Sequence, residues 1–464
     1  MASPTAGAAT LERPRPTPGD PRPYAFPRFE RRSLPNGLRL VVAPVEKLPV
    51  VTLLATINAG AVADPPGEEG LALLTARALS EGAGKRDGAA LADYAERLGT
   101  GIETRADWDA ATVRMTVMTS RLAEAVPLLG DVLMAPIFPG HEIARLKAER
   151  LAELLQIRAE PRGLADETLD RVVYASGARY ALPEGGTEKT VDSLSRDAVA
   201  AFYGARYHPA AVTVLIVGDV RSAEVERLVE ATFGGWRGLA QQGTLVPDRT
   251  TPSNREIHIV TKTGAPQSEL RLGHVGLARS SPDFFPVTVM NALLGGLFSS
   301  RINLNLREAH GYTYGAHSGY DWRRWAGPFS VDAAVGRDVT AAAVREVLSE
   351  IDRMRTEAVT PSELSLATSY LDGIFPIRYE STAAIAAALA NLIVYDLSPD
   401  YYDSYRANVR AVTAAEVLAA ARAHIHPERL QLVVVGDPET VRGPLEEIGF
   451  GPVTVYDDRG DRIA

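Results

Sequence analysis

The 464-residue chain contains no cysteine. Disulfides, thiolate metal sites, iron–sulfur clusters and cysteine nucleophiles are therefore excluded together. The same absence fits an exported bacterial protein better than a cytosolic one. A basic excess is also missing. Lys and Arg total 49 against 58 Asp and Glu, a net charge of −9, whereas a nucleic-acid partner would call for a basic stripe. Long apolar runs are absent too. The longest helical one, AAIAAALANLIVY (383–395), falls short of the roughly 20 residues that cross a bilayer, so no membrane span is expected. The opening MASPTAGAATLERPRPTPGDPRPYAFP has no apolar signal-peptide core, and its prolines predict an extended, disordered tail over residues 1–27. The expected state is soluble, periplasmic or cytoplasmic, with the tail and the missing cysteines favouring the periplasm.

Several chemical motifs are missing as well. GAGKRDG (82–88) has glycines and a lysine but not the spacing of a phosphate-binding loop, and there is no G-x-S-x-G elbow. The eight histidines include no pair at the i, i+4 spacing of a helical zinc motif. His424-Ile-His426 reads either as a metal-binding pair on one strand face or as a surface pair before Pro427. Glu149 and Glu153, four residues apart, read as a solvated helix face.

What the chain does have is a repeat of itself. RYHPAAVTVLIVGDV (206–220) resembles HIHPERLQLVVVGDP (424–438). His208-Pro209 matches His426-Pro427, and Gly218-Asp219 matches Gly436-Asp437, both at an offset of 218. SRDAVAAFYGA and TAAEVLAAARA precede the two copies with helical period. Each copy predicts a helix, a His-Pro turn, a buried strand and a Gly-Asp end. Residues 29–44 predict a hairpin about Pro-Asn-Gly, and residues 50–60 a strand. Residues 121–136 and 142–160 have helical period. The predicted fold class is α+β: two homologous domains, each a mixed sheet packed against helices. The boundaries are 28–236 and 253–464, with a Gly-, Pro- and Gln-rich linker over 237–252.

Four stretches together resemble the pitrilysin, insulinase and mitochondrial-processing-peptidase type of zinc metallopeptidase. They are LPNGLRLVV, PLLGDVLMAPIFPGHEIARLKAE, LPEGGTEKTVDSLSRDAVAAFYGARYHPAAVTVLIVGDV and LLGGLFSSRINLNLREAHGYTY. Peptidases of that type carry H-x-x-E-H on a helix. The matching stretch is GLALLTARALSEG (70–82), where Leu73 and Arg77 stand at the histidine positions and Ala76 at that of the base. Glu149 or Glu153 falls near the family's distant glutamate ligand. One carboxylate cannot hold zinc, which takes three protein ligands, so no metal is expected in this chain.

The resemblance also implies an arginine and a tyrosine in the second half that reach the substrate at a zinc site. Arg307 and Tyr314 match them, on a helix that Gly295-Gly296 and Ser299-Ser300 would open and cap. Arginine offers a planar fork to a carbonyl or carboxylate, and tyrosine a phenol to a developing oxyanion. The implied function is a non-catalytic subunit, inactive by itself, in a heterodimeric zinc endopeptidase that cleaves peptides in an enclosed chamber. The homologous partner would carry H-x-x-E-H and the zinc. The alternative is a structural or peptide-binding homologue, akin to a respiratory core subunit or a precursor-peptide carrier, with no part in proteolysis.

Overall fold

The computed structural model describes residues 23–238 and 251–463. Most of the expected tail and linker, residues 1–22 and 239–250, lies outside the described residues. The rest builds two six-stranded mixed sheets of one topology. From edge to edge the first runs Glu30–Ser33, Arg39–Pro44, Val212–Gly218, Val50–Ile57, Ala111–Met118 and Glu103–Ala106. The second runs Val453–Tyr456, Glu256–Thr261, Gln431–Gly436, Gln267–Val275, Pro328–Gly336 and Ala316–Tyr320. Only the first-named edge differs in kind, being antiparallel to its neighbour in the first sheet and parallel in the second.

The duplication is therefore structural. Helices Arg196–Arg206 and Ala414–His424 stand 218 apart at both ends, and the Ser195 and Thr413 side chains cap them alike. The register refines the repeat. Leu53 lies opposite Ile216, and Leu270 opposite Val434. The latter pair keeps the 218 offset on one strand (434 − 216) and shows 217 on the other (270 − 53), so one residue separates the repeats between the early and late strands.

The hairpin about Pro-Asn-Gly forms as expected, pairing Glu30 with Val42. Residues 50–60 also form a strand, Val50–Ile57, but burial does not alternate along it: seven successive residues, Val51–Ile57, are buried. Val212–Gly218 is buried throughout. Such strands have both faces covered, and the second cover comes from the opposite half. Helix Thr382–Val394 packs on Val50–Ile57 and Val212–Gly218 of the first sheet, where the Thr382 and Thr52 hydroxyls stand 2.9 Å apart. Helix Pro161–Val173 packs on Gln267–Val275 and Gln431–Gly436 of the second, where Arg271 donates to Asp166 at 2.6 Å. Leu54, Leu215 and Val217 thus share a core with second-half residues, and Val433 and Val435 share one with Leu164 and Leu169. Phe26 is buried in the second half, stacked on Tyr402 at 4.6 Å.

A buried ionic junction closes the seam. Arg323 reaches from the second half to Asp170, 3.3 Å away, and to Asp321 at 2.6 Å, with its guanidinium over Trp108 and Tyr180. Beside it the Arg324 amide donates to Asp109. Burial pushes the Asp109 carboxyl up to about 6, against the pull of Arg324. Burial also lifts Glu184 to about 7; Asp107 and Asp321 push the same way, and Arg323 and Arg179 oppose them.

Candidate functional site

The first half of the site is the helix Leu71–Ala78. The chain enters it through Gly70 at φ +97°, where a Cβ would lie 2.8 Å from the Gly185 carbonyl oxygen. Only glycine meets both demands. The Asp64 carboxylate accepts from the Gly70 and Ala72 amides at 2.8 and 2.7 Å, satisfying two of the first-turn donors. Asp64 is buried and paired with Arg179 at 3.0 Å. Burial pushes its carboxyl up to about 6 in spite of that arginine.

Along this helix Ala76 is fully buried, and Leu73 and Arg77 are half-buried. Spacings of three and four put the three on neighbouring positions of the helix surface. Arg77 forms a two-pronged pair with Glu153 of helix Gly140–Ala159: Nη1 to Oε1 is 2.8 Å, and Nη2 to Oε2 is 3.1 Å. Arg150 adds a third bond to Glu153 at 3.1 Å and donates to the Gly185 carbonyl. Burial disfavours the Glu153 carboxylate, yet the Arg77 and Arg150 hydrogen bonds hold its pKa below the usual glutamate value. Glu149 turns away to Arg145 at 2.6 Å. Between Leu73, Arg77 and Arg150 remains a cavity of about 10 Å³, room for about one water.

This arrangement does not fit zinc. Leu73 and Ala76 bring no donor atom, Arg77 brings a permanent cation, and both oxygens of Glu153 are already engaged by Arg77. Among the described residues, no three His, Asp or Glu side chains gather as a metal-holding group. His424 and His426 do not converge either. The segment is not a strand: its helix ends at His424, whose Nε2 meets Asp283 at 2.7 Å, while the His426 ring stands beside Glu428 and His274.

The second half of the site is the segment 292–315. Helix Phe284–Asn291 loosens into a π-helical turn, Ala292–Gly296. The turn Arg301–Asn303 then widens into a second π-helical stretch, Leu304–Ala309, which carries Arg307. π-helical turns are rare and concentrate at functional sites. Ser300 sits at the expected cap position but makes no side-chain cap; its hydroxyl accepts instead from the Asn303 side-chain Nδ2 at 3.2 Å.

Two asparagines fasten this segment to strand Ala316–Tyr320. Asn291 donates to the Ser318 carbonyl and accepts from its hydroxyl. Asn303 donates to the Ala316 carbonyl and accepts from its amide. Gly295 permits the approach, since a Cβ there would lie 2.5 Å from the Ser318 nitrogen. Below, Arg301 makes a two-pronged pair with Glu363 at 2.8 and 3.2 Å. Chiefly through that pair the Glu363 carboxyl is held down to about 2.

Arg307 and Tyr314 project from this fastened base. The Arg307 guanidinium lies 4.2 Å over the ring of Phe298, and its Nε is 3.6 Å from Glu308. Tyr314 is 94% exposed and Phe298 72%. Among the described residues, no hydrogen bond or ion pair joins Arg307 or Tyr314 to the Leu71–Ala78 helix. Sequence reading passed over Phe298, Asn291 and Asn303. The available signal was an aromatic residue two positions after the Gly295-Gly296 pair, between a leucine and two serines.

Comparison with known proteins agrees with the fold. The family model for insulinase (peptidase family M16) matches residues 41–181, and that for the peptidase M16 inactive domain matches residues 193–371. An uncharacterized zinc protease of Streptomyces coelicolor is 24% identical over 412 residues, covering 88% of this chain and 89% of that protein. The fold matches the crystal structure of a peptidase M16 inactive domain from Pseudomonas fluorescens, with a TM-score of 0.83 and 24% identity over 88% of this chain and 98% of that one. A protease from Helicobacter pylori matches with a TM-score of 0.82 and 18% identity, over 88% and 99% of the two chains.

Proposed function

The chain belongs to peptidase family M16, the insulinase family, without that family's H-x-x-E-H motif, and from that premise we propose that it is the non-catalytic subunit of a heterodimeric zinc endopeptidase. A homologous partner holds the zinc, and this chain lends Arg307 and Tyr314 to the peptide in the enclosed chamber between them. One contrast carries the reading. At the positions that match the zinc motif, Arg77 is tied into an internal ion pair with Glu153, while on a fastened base Tyr314 is almost fully exposed and Arg307, half-buried, lies over the exposed Phe298. A residue kept for the fold alone gains nothing from 94% exposure.

In this arrangement the Arg307 fork takes a carbonyl or carboxylate of the bound peptide. The Tyr314 phenol donates to the oxyanion that forms as water adds to the scissile carbonyl. The zinc-bound water and the general base belong to the partner. The test is co-expression with an H-x-x-E-H homologue, followed by size exclusion and a peptidase assay. A mixed complex that cleaves peptides, with neither chain active alone, is the expected result. A mixed complex whose rate ignores both Arg307 and Tyr314 would leave a structural or peptide-binding role instead.

A further inference from the structure

The stacking of Arg307 on Phe298 extends the site by one residue. Phe298 sits in the four-residue loop 297–300, between the two π-helical turns and directly after Gly295-Gly296. Its neighbour Leu297 is buried, and its other neighbours are serines. An aromatic ring 72% exposed gives up hydrophobic free energy that burial would return. The loop leaves it no freedom to fold under, because Asn303 grips the Leu297 carbonyl at 3.2 Å and the Ser300 hydroxyl at 3.2 Å. The ring is thus presented outward by buried bonds on both sides of it.

One face of the ring carries the Arg307 guanidinium at 4.2 Å. A cation stacked in this way is held by its flat face, and the Nη donors on its edge, away from the Nε that faces Glu308, are left to meet an acceptor. The remainder of the ring is apolar surface open to solvent. Tyr314 stands in the same segment, positioned by a turn in which Thr313 and Gly315 exchange two hydrogen bonds, at 2.8 and 3.1 Å.

We infer that Phe298 is both the positioning residue for Arg307 and a specificity-determining contact. It takes a large apolar side chain of the peptide, next to the carbonyl or carboxylate that Arg307 binds. The substrate class is therefore peptides with a bulky aliphatic or aromatic residue beside the bound acceptor. This inference rests on the reading of Arg307 as a substrate contact.

The two roles separate by substitution. Phe298→Leu keeps an apolar surface and loses the π face. Phe298→Trp keeps both. Phe298→Ala loses both. The probe is an array of blocked peptides carrying Phe, Leu, Ala or Asp at each position, bound to the purified full-length chain and read by fluorescence. Wild type and Phe298→Trp should enrich Phe and Leu at one position by about tenfold over Ala, as the burial of one large apolar side chain allows. Phe298→Leu should keep the preference but bind more weakly, and Phe298→Ala should lose it. Arg307→Ala should weaken all peptides alike and leave the apolar preference in place. Stacking itself is read from the Arg307 side-chain proton shifts, displaced by the ring in wild type and Phe298→Trp and not in Phe298→Leu.

An unchanged profile in Phe298→Ala, or no apolar preference in wild type, overturns the inference. Neither result touches the proposed function, which stands or falls on the rate of the mixed complex with Arg307 and Tyr314 replaced. Phe298 is mostly exposed, so the Ala variant should melt as wild type does. An unfolded Ala variant would itself overturn the inference, because it would make the ring a structural one.

Discussion

Arg323, from the second half of the chain, lies over the ring of Trp108 in the first half, 4.3 Å from its centroid, and pairs with Asp170. Its side chain is 4% exposed. Removing one member of a buried pair leaves the other charge without compensation. Arg323→Ala should therefore destabilise the chain by about 3 kcal/mol, the lower end of the range for such changes, since Asp170 keeps some contact with water. Urea unfolding at pH 7 measures it, and a loss below about 1 kcal/mol would make the junction an ordinary surface pair.

Stability should fall as pH rises across neutrality. Glu184 has its pKa raised by burial to about 7 in the folded chain, from 4.5. A raised folded-state value means that the native chain binds the extra proton. The contribution is complete below about pH 4.5 and is lost as pH rises through about 7. Asp109, raised by burial to about 6, acts in the same direction over a lower window. Glu184→Gln should flatten the decline in melting temperature between pH 5 and pH 8 and raise stability at pH 8 by about 1–3 kcal/mol. A steeper decline in the variant would reverse the argument.

The purified chain should take up no stoichiometric zinc and show no chelator-sensitive peptidase activity of its own. Elemental analysis tests the first point and a peptidase assay with and without chelator the second. The missing donors can also be put back. Leu73→His with Arg77→His frees the Glu153 Oε1, leaving Oε2 to Arg150, and sets two imidazoles beside it, which makes three ligands. About one zinc per chain is then expected, lost again on adding Glu153→Gln. Failure of the double variant to bind would place Glu153 out of reach of position 73.

In the mixed complex, Tyr314→Phe should lower kcat by about 10²–10³-fold, as loss of an oxyanion donor does, with the melting temperature and zinc content unchanged. Arg307→Ala should act chiefly on KM if its contact is equally strong in the ground state. Arg307→Lys should recover little, because a point charge cannot replace the planar fork and stacks less well on Phe298. Steady-state kinetics of each reconstituted variant decides it, and wild-type rates with both residues replaced would end the proposal.

Much of the fold was legible because its signals are local or repeated. The His-Pro and Gly-Asp marks at a 218 offset gave the duplication, and the Pro-Asn-Gly turn gave its hairpin. Leu73, Ala76 and Arg77 were identified by alignment to a motif, but their geometry was not. Nothing in the spacing of Arg77 and Glu153, 76 residues apart, reveals a two-pronged ion pair. The exchange of helices was hidden for a related reason. A continuous run such as VTVLIVG says that both faces of a strand are covered, but not which half supplies each cover. The π-helical turns left no sequence mark, and neither did the bonds beside them from Asn291 and Asn303 to the edge strand Ala316–Tyr320.

Helices Pro161–Val173 and Thr382–Val394 each lie on the sheet of the opposite half, and this bears on how such a chain could arise. A protein of half the length, with one sheet and one such helix, would leave an apolar sheet face bare when alone. Two copies trading that helix would cover both faces at once, by the symmetric exchange that makes swapped dimers. Gene fusion would then only have joined what was already an obligate pair. The same geometry sets an order of events in every present-day molecule: the sheet near the N-terminus must wait, partly uncovered, until residue 394 has left the ribosome.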